Sequence, residues 1–400
     1  MVLTKAQKRL ILVLLTGMFF LGISATDIYI ASLPQMVVDF NSTPMMVNLT
    51  LSSYTLGIAI AVLFAGEFSN RFGRRSVLLF GVACFSVAAL LIAIVPSLIM
   101  IILLRVVQSI GCAIIIIVPR LILKDCLDER EQIAANGILL MGLIISPAIA
   151  PVIGAYLAKF FGWKSCFLFS ALLGFIFVAI SHFALPETNL QRMTKFRDVS
   201  YYTKIYARLF TDRVFISLTI MYAAGVAVYF SFIGVSSYLY IDHWHMTPES
   251  YSTIYLWMSA AYLFGNQIMQ KLNRKRLAPV KIIGVGIYST VFGFLIILAS
   301  LLVPSIHGKI IVVTFAVFFM RAANALMNPP IQIRIMNHFD DCSAQALGLN
   351  MCLGFMLNAL ATYMVTIFIG HPYLDLILSS GLFIVLCASG FIFNRKALAT

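Results

Sequence analysis

The feature that most constrains this chain is a series of apolar runs, each about one bilayer long, separated by short polar turns. A helix rises about 1.5 Å per residue and the hydrocarbon core is about 30 Å thick, so one crossing takes about 20 apolar residues. Runs of that length occur at 9–32, 45–67, 76–95, 98–118, 135–158 and 164–185. They recur at 213–240, 251–270, 279–303, 309–330, 345–369 and 373–393, so twelve membrane helices in an all-α integral membrane fold are expected. Only 11% of the 400 residues are charged and 61% are hydrophobic. A soluble domain carries about 25% charged residues, which excludes an ordinary globular enzyme. The alternating apolar and polar strands of an outer-membrane barrel are absent. The first run is too long for a signal-peptide core and lacks a small-x-small cleavage site, so it is expected to be retained.

The net charge of +13 is explained by where the basic residues fall. With the N-terminus inside, 23 Lys and Arg lie on the inner side, only Lys159, Lys164 and Lys309 lie outside, and Arg105 and Arg321 lie within the membrane. The inner groups include Arg71, Arg74 and Arg75, the cluster from Arg192 to Arg213, and Arg395 and Lys396. By that asymmetry both termini of a multi-pass membrane protein are expected in the cytoplasm. A nucleic-acid partner would need a solvated basic domain, and none is present. The seven cysteines form no Cys-x-x-Cys pair, and no metal or nucleophile–base constellation stands out. No metal and no organic cofactor is expected, and the chain is expected to act as a monomer.

The polar stretch 188–212 divides the chain into residues 1–187 and 213–400, each with six spans, as in transporters built from two halves. Its Tyr201–Tyr206 portion suits either an interfacial helix or a solvated linker.

Asp27 is the one acidic side chain that the pattern places at hydrocarbon depth. A charge at the bilayer centre costs at least about 2.5–3.5 kcal/mol on insertion scales, so it points to a proton carrier. Arg105, counted from Pro96, and Asp27, counted from Pro34, lie at similar depths. They can form a switchable pair or a static ion pair between spans 1 and 4.

Three segments carry a resemblance. Gly66-Glu67-Phe68-Ser69-Asn70-Arg71-Phe72-Gly73-Arg74-Arg75 resembles the G-x-L-a-D-R-x-G-R-R/K loop of the major facilitator superfamily, with Asn70 in place of the usual Asp. Arg105-Val106-Val107-Gln108-Ser109-Ile110-Gly111 is similar to the R-x-x-Q-G-x-G motif of its proton-coupled exporters. Ser146-Pro147-Ala148-Ile149-Ala150-Pro151-Val152-Ile153-Gly154 resembles the antiporter motif in the form used by the bicyclomycin/chloramphenicol-resistance branch. Thr26-Asp27-Ile28-Tyr29, Leu33-Pro34, Arg120 to Asp125, Trp163-Lys164 and Pro186-Glu187-Thr188 look like that branch too. The resemblance implies a twelve-helix drug:proton antiporter working by alternating access, with protons as the coupling ion. It implies that Asp27 and Arg105 couple protons and that Gly66, Asn70, Arg71, Gly73, Arg74, Arg75, Asp125, Pro147, Pro151 and Gly154 serve gating. Asp125 and Glu67 are the acids left to replace the charge missing at Asn70.

Candidate small-molecule ligands are Tyr29, Tyr54 and Gln108 in the first half and Tyr222 and Tyr229 in span 7. Arg321, Asn324 and Asn328 share one face of span 10, and Asn350 and Asn358 one face of span 11. Such stripes also serve as interhelical glue, at about 0.6–2 kcal/mol per bond. An arginine in each half facing one carboxylate gives a net positive cavity, so an anionic, zwitterionic or acceptor-rich substrate is expected rather than a multivalent cation. A dedicated exporter of an anionic metabolite or siderophore, or a proton-coupled importer, fits the same residues.

Overall fold

The computed structural model describes residues 5–127, 129–189, 199–364 and 371–393. Arg192, Lys195, Arg197, Arg395 and Lys396 of the expected inner basic clusters lie outside the described residues, as does the middle of the 188–212 linker. The helices in order are α1 (Lys5–Asp27), α2 (Leu33–Asp39), α3 (Pro44–Phe72), α4 (Arg74–Ile94), α5 (Leu98–Cys126), α6 (Glu129–Phe161) and α7 (Lys164–Ala184). Then follow α8 (Val199–Thr211), α9 (Arg213–Ser237), α10 (Pro248–Arg274), α11 (Pro279–Ala299), α12 (Ile306–His338), α13 (Ser343–Met364) and α14 (Pro372–Phe393). Prolines open α3, α10, α11 and α14, where the first-turn N–H has no intrahelical acceptor to lose. Asp212, Thr247 and Ser305 cap α9, α10 and α12, each accepting from the N–H three residues on.

Ten of the helical segments are long and apolar enough to cross a membrane, so the chain is a multi-pass membrane protein. Of the other two expected spans, α6 shows a shorter apolar stretch among the described residues, Ile145–Phe161. The second, α10, closes on the polar run Gln267, Gln270, Lys271, Asn273 and Arg274. Several helices overrun the apolar windows. α3 reaches Phe72, α5 runs through Pro119 to Cys126, and α12 runs through Pro329 and Pro330 to His338. Arg, Lys, Gln and Met propagate a helix nearly as well as Leu, so hydrophobicity ends before the helix does.

The chain forms two compact units. The first comprises Met1–Ser42 and Leu49–Arg197; the second comprises Thr43–Asn48, the first turn of α3, with Asp198–Thr400. In the first, α1 packs on α5, α6 and α7, and α4 packs on α5 and α7. In the second, α9 packs on α12, α13 and α14, while α10 and α11 pack on α12. The linker segment Val199–Thr211 is a helix with a strongly segregated apolar face. Leu209 on that face joins the core of the second unit with Phe215, Leu218, Met327, Ile331 and Phe339. Arg208 Nη1 donates to Asp341 Oδ2 at 2.5 Å, and Asp212 lies 3.5 Å from His338 Nε2. The hydrogen bond from Arg208 holds the Asp341 carboxyl below its ordinary range.

Candidate functional site

The expected single span 9–32 is broken at its acid. α1 ends at Asp27, Tyr29 leaves helical geometry at φ −110°, ψ 3°, and a short 3-10 turn covers Ile30–Ser32 before α2. A helix end leaves its last carbonyls without intrahelical donors, and its negative dipole end attracts cations. Arg105 on α5 fills that need. Its Nη1 donates to Ala25 O at 3.1 Å, and its Nε donates to Thr50 O on α3 at 3.0 Å. Nη1 also reaches Gln108 Oε1 at 2.7 Å. The guanidinium carbon lies 4.0 Å from the Tyr54 ring centre, 5.0 Å from Tyr29 and 5.9 Å from Phe167. Tyr29 shares a 2.8 Å bond with Thr50 Oγ1, and Tyr54 donates to Gly22 O. Arg105 is thus 0% exposed yet held by carbonyls, an amide and aromatic faces, which together replace water.

Asp27 is 8% exposed and accepts from Ser146 Oγ on α6 at 3.0 Å. The sequence suggested an Asp27–Arg105 ion pair; among the described residues no ion pair joins them. The arginine donates instead to Ala25 O, at the broken end of α1, and to Thr50 O within α3. Pro147, Pro151 and Gly154 are buried further along α6, which packs on α1. At Gly154 a Cβ would sit 1.5 Å from Ile28 O, so only glycine lets the two backbones approach beside Asp27. Tyr29, Tyr54 and Gln108, expected as ligand contacts, are committed to the Arg105 cage.

The α3–α4 turn is built around Arg74. Gly73 takes φ 97°, which an L side chain rarely adopts, and reverses the chain. Arg74 Nε donates to Asp125 Oδ2 at 3.0 Å, and Nη1 donates to Asn70 Oδ1 at 2.6 Å and Ser69 Oγ at 2.7 Å. Asn70 therefore keeps an acceptor role without the charge. The segment after α7 closes the turn. Glu187 Oε1 accepts from Arg74 N at 2.8 Å, Thr188 donates to Asp125, and Asn189 Nδ2 donates to Asn70 O. Arg75 donates to His182 O, and Arg71 lies over the Phe72 ring at 5.3 Å. Gly66 sits in ordinary contact with Ile117, without the close approach found at Gly154.

In the second unit, Arg321 on α12 lies with its guanidinium carbon 4.1 Å from the Tyr229 ring centre and 4.8 Å from Tyr262. Asn324 Nδ2 donates to Gly225 O and Met320 O. The Asn350 and Asn358 amides are buried on α13, and Asn328 is half-buried. The Tyr222 ring packs against the backbone of Gly354. An apolar groove of about 640 Å³ lined by Gly57, Phe64, Phe68, Phe72, Phe80 and Ile110 includes neither Asp27, Arg105 nor Arg321.

Residues 12–362 match the family model described as Major Facilitator Superfamily. The chain belongs to the major facilitator superfamily. This major facilitator protein is 25% identical over 281 residues to an uncharacterized transporter of Rickettsia bellii (strain RML369-C), covering 70% of this chain and 69% of the relative. It is 28% identical over 228 residues to the multidrug resistance protein MdtL of Escherichia coli O45:K1 (strain S88 / ExPEC), covering 57% of each chain. Its fold is shared with a bacterial homologue of the human lysosomal transporter Spinster, at TM-score 0.78 and 16% identity, over 99% of this chain and 98% of that one. The nucleoside transporter NupG matches at TM-score 0.74 and 12% identity, over 98% of this chain and 100% of that one. The family and these relatives are transporters, not enzymes, and the fold implies a small-molecule substrate.

Three participants in this major facilitator escaped the sequence. Ser146 lay inside a recognised motif without a role. Tyr262 lay in span 8 without a role. Asp375, in the first turn of α14, is 4% exposed, so Asp27 is not the sole buried acid. A carboxylate in a helix's first turn is favoured by the N-terminal dipole, which the hydropathy pattern does not reveal.

Proposed function

We propose that this transporter is a proton-coupled exporter of small molecules in a bacterial cytoplasmic membrane, with Asp27 as the proton-carrying group. In this reading α6 and α10 complete a set of twelve spans, arranged as two six-helix halves with both termini cytoplasmic. The observation that carries it is a carboxylate 8% exposed at a helix break inside an apolar span, next to a fully buried arginine. The similarity to MdtL supports drug efflux as the direction and purpose of transport. Arg105 holds the end of α1 through Ala25 O, so the acid's surroundings are fixed on one side and adjustable at Ser146. Arg74, Asn70, Asp125 and Glu187 serve as the gate-side clasp.

One proton moving through about 100 mV releases about 2.3 kcal/mol. At about 1.4 kcal/mol per tenfold, that sustains roughly a 50-fold gradient of a neutral substrate. The test is a substrate screen in everted vesicles with a pH-sensitive dye, run on wild type and Asp27→Asn. The variant is expected to bind substrate but lose efflux driven by the pH gradient. Proton-linked efflux at the wild-type rate in Asp27→Asn would overturn the assignment, and inward flux under the same gradient would reverse the direction.

A further inference from the structure

We propose that Arg321, with Tyr229 and Tyr262, forms a subsite for the carboxylate of a monoanionic aryl substrate. The proposal deepens the small-molecule transport reading and rests on it. Arg321 is on the same helical face as Asn324 and far from either end of α12, which runs from Ile306 to His338. Among the described residues it has no ion pair and no hydrogen-bond acceptor, and its Nε is buried without a partner. Arg105 leaves one nitrogen, Nη2, buried without a partner too, but its other two donate to two carbonyls and an amide. Arg74 and Arg208, for their part, each have an aspartate. The acids of the second unit are engaged elsewhere or lie at helix ends. Asp341 meets Arg208, Asp212 caps α9 beside His338, and Asp375 opens α14.

The surroundings select the missing counterion. Two tyrosine rings lie at 4.1 and 4.8 Å from the guanidinium carbon, and none of the described residues offers its N–H fork an acceptor. That planar fork matches a carboxylate, which it can engage through two parallel bonds. The second unit also buries amide groups without partners: both polar atoms of Asn350, and the Oδ1 atoms of Asn324 and Asn358. Asn350 is 0% exposed, and its Nδ2 is a donor for a ligand oxygen. The flanking tyrosines supply aromatic walls for a flat apolar body attached to the anion. A cationic ligand would meet uncompensated repulsion from Arg321.

The probe is sodium benzoate against benzamide, its neutral isostere. Purified full-length protein in nanodiscs of neutral phosphatidylcholine is titrated with each at constant ionic strength, following the unfolding midpoint. Benzoate is expected to reach half-maximal stabilisation at a concentration at least tenfold below that of benzamide, which corresponds to about 1.4 kcal/mol. Arg321→Gln is expected to abolish the preference. Arg321→Lys, which keeps the charge and loses the fork, is expected to weaken benzoate severalfold while retaining some preference. Equal responses to the two compounds in wild type overturn the proposal, as does an undiminished preference in Arg321→Gln. Should the Gln variant not fold, an unweakened benzoate response in Arg321→Lys overturns it instead. The readout is equilibrium binding and does not depend on the Asp27 efflux assay, so either reading can fail while the other stands.

Discussion

Replacing Gly154 by alanine probes the contact that holds α6 against the broken end of α1. The new methyl carbon would lie 1.5 Å from Ile28 O and 2.6 Å from the carbonyl carbon. A relaxed carbon–oxygen contact is about 3.3 Å, so the two backbones must part by about 2 Å at this point. The obstacle is main chain and cannot swing aside as a side chain would. Overpacking of this kind costs about 1–3 kcal/mol. It is opposed by the better helix propensity of alanine, about 0.8–1 kcal/mol. Gly348 separates the two effects, because a Cβ there meets nothing within 4 Å. Gly348→Ala should therefore stabilise slightly, while Gly154→Ala should destabilise despite the same chemical change. The separation also strains the 3.0 Å Ser146–Asp27 bond two helical turns away, which fails beyond about 3.5 Å. The assay is denaturation in mixed detergent micelles, paired with proton-linked flux in vesicles. Wild-type stability and flux in Gly154→Ala would refute both the close approach and its importance to Asp27.

Two further outcomes follow from other contacts. Arg105→Lys cannot serve Thr50 O, Ala25 O and Gln108 at once, and hydrogen bonds to charged groups contribute about 1.5–3 kcal/mol each. A loss of at least about 3 kcal/mol is expected, visible as poor recovery of monodisperse protein in size-exclusion chromatography; wild-type yield and stability would contradict it. For the Arg208–Asp341 contact the sign follows from the lowered carboxyl pKa. Its contribution is complete above the ordinary aspartate value of about 3.9 and is lost as pH falls through the lowered one. The difference in α8 amide exchange between wild type and Arg208→Ala should thus stay constant from about pH 8 to pH 5. A difference that changes across that window would show the contact is not the one described.

The apolar runs announced the long helices because burial in lipid must be met residue by residue, and the buried arginines stood out for the same reason. Three things stayed hidden. Pro34, which offers no N–H to Ile30 O, is a local signal for a break, but the apolar count ran through it and did not place the end of α1 at Asp27. The partner of Arg105 was misjudged because charge pairing was weighed and free carbonyls were not. A helix end supplies acceptors whose positions are known only once the end is known. Asn70 looked like a lost charge. The fold shows its carbonyl oxygen still bonded to Arg74, with Glu187 and Asp125 supplying acid from elsewhere in the chain. Tyr262 came to Arg321 through tertiary packing of α10 on α12, which no spacing along either helix encodes.

The caging of Arg105 has a consequence for how the helices of the first unit can shift against one another. Its guanidinium bonds the main chain of two other helices. Held by main-chain oxygens and stacked on Tyr54, it is also mechanically fixed within the first unit. One side chain of α5 thus ties the end of α1 to the main chain of α3. α6 meets α1 in another way, through the Ser146 hydroxyl on Asp27 and the close approach of Gly154 to Ile28 O. A shift of α6 along α1 is therefore felt first at Asp27 and Ile28, the two residues those contacts touch.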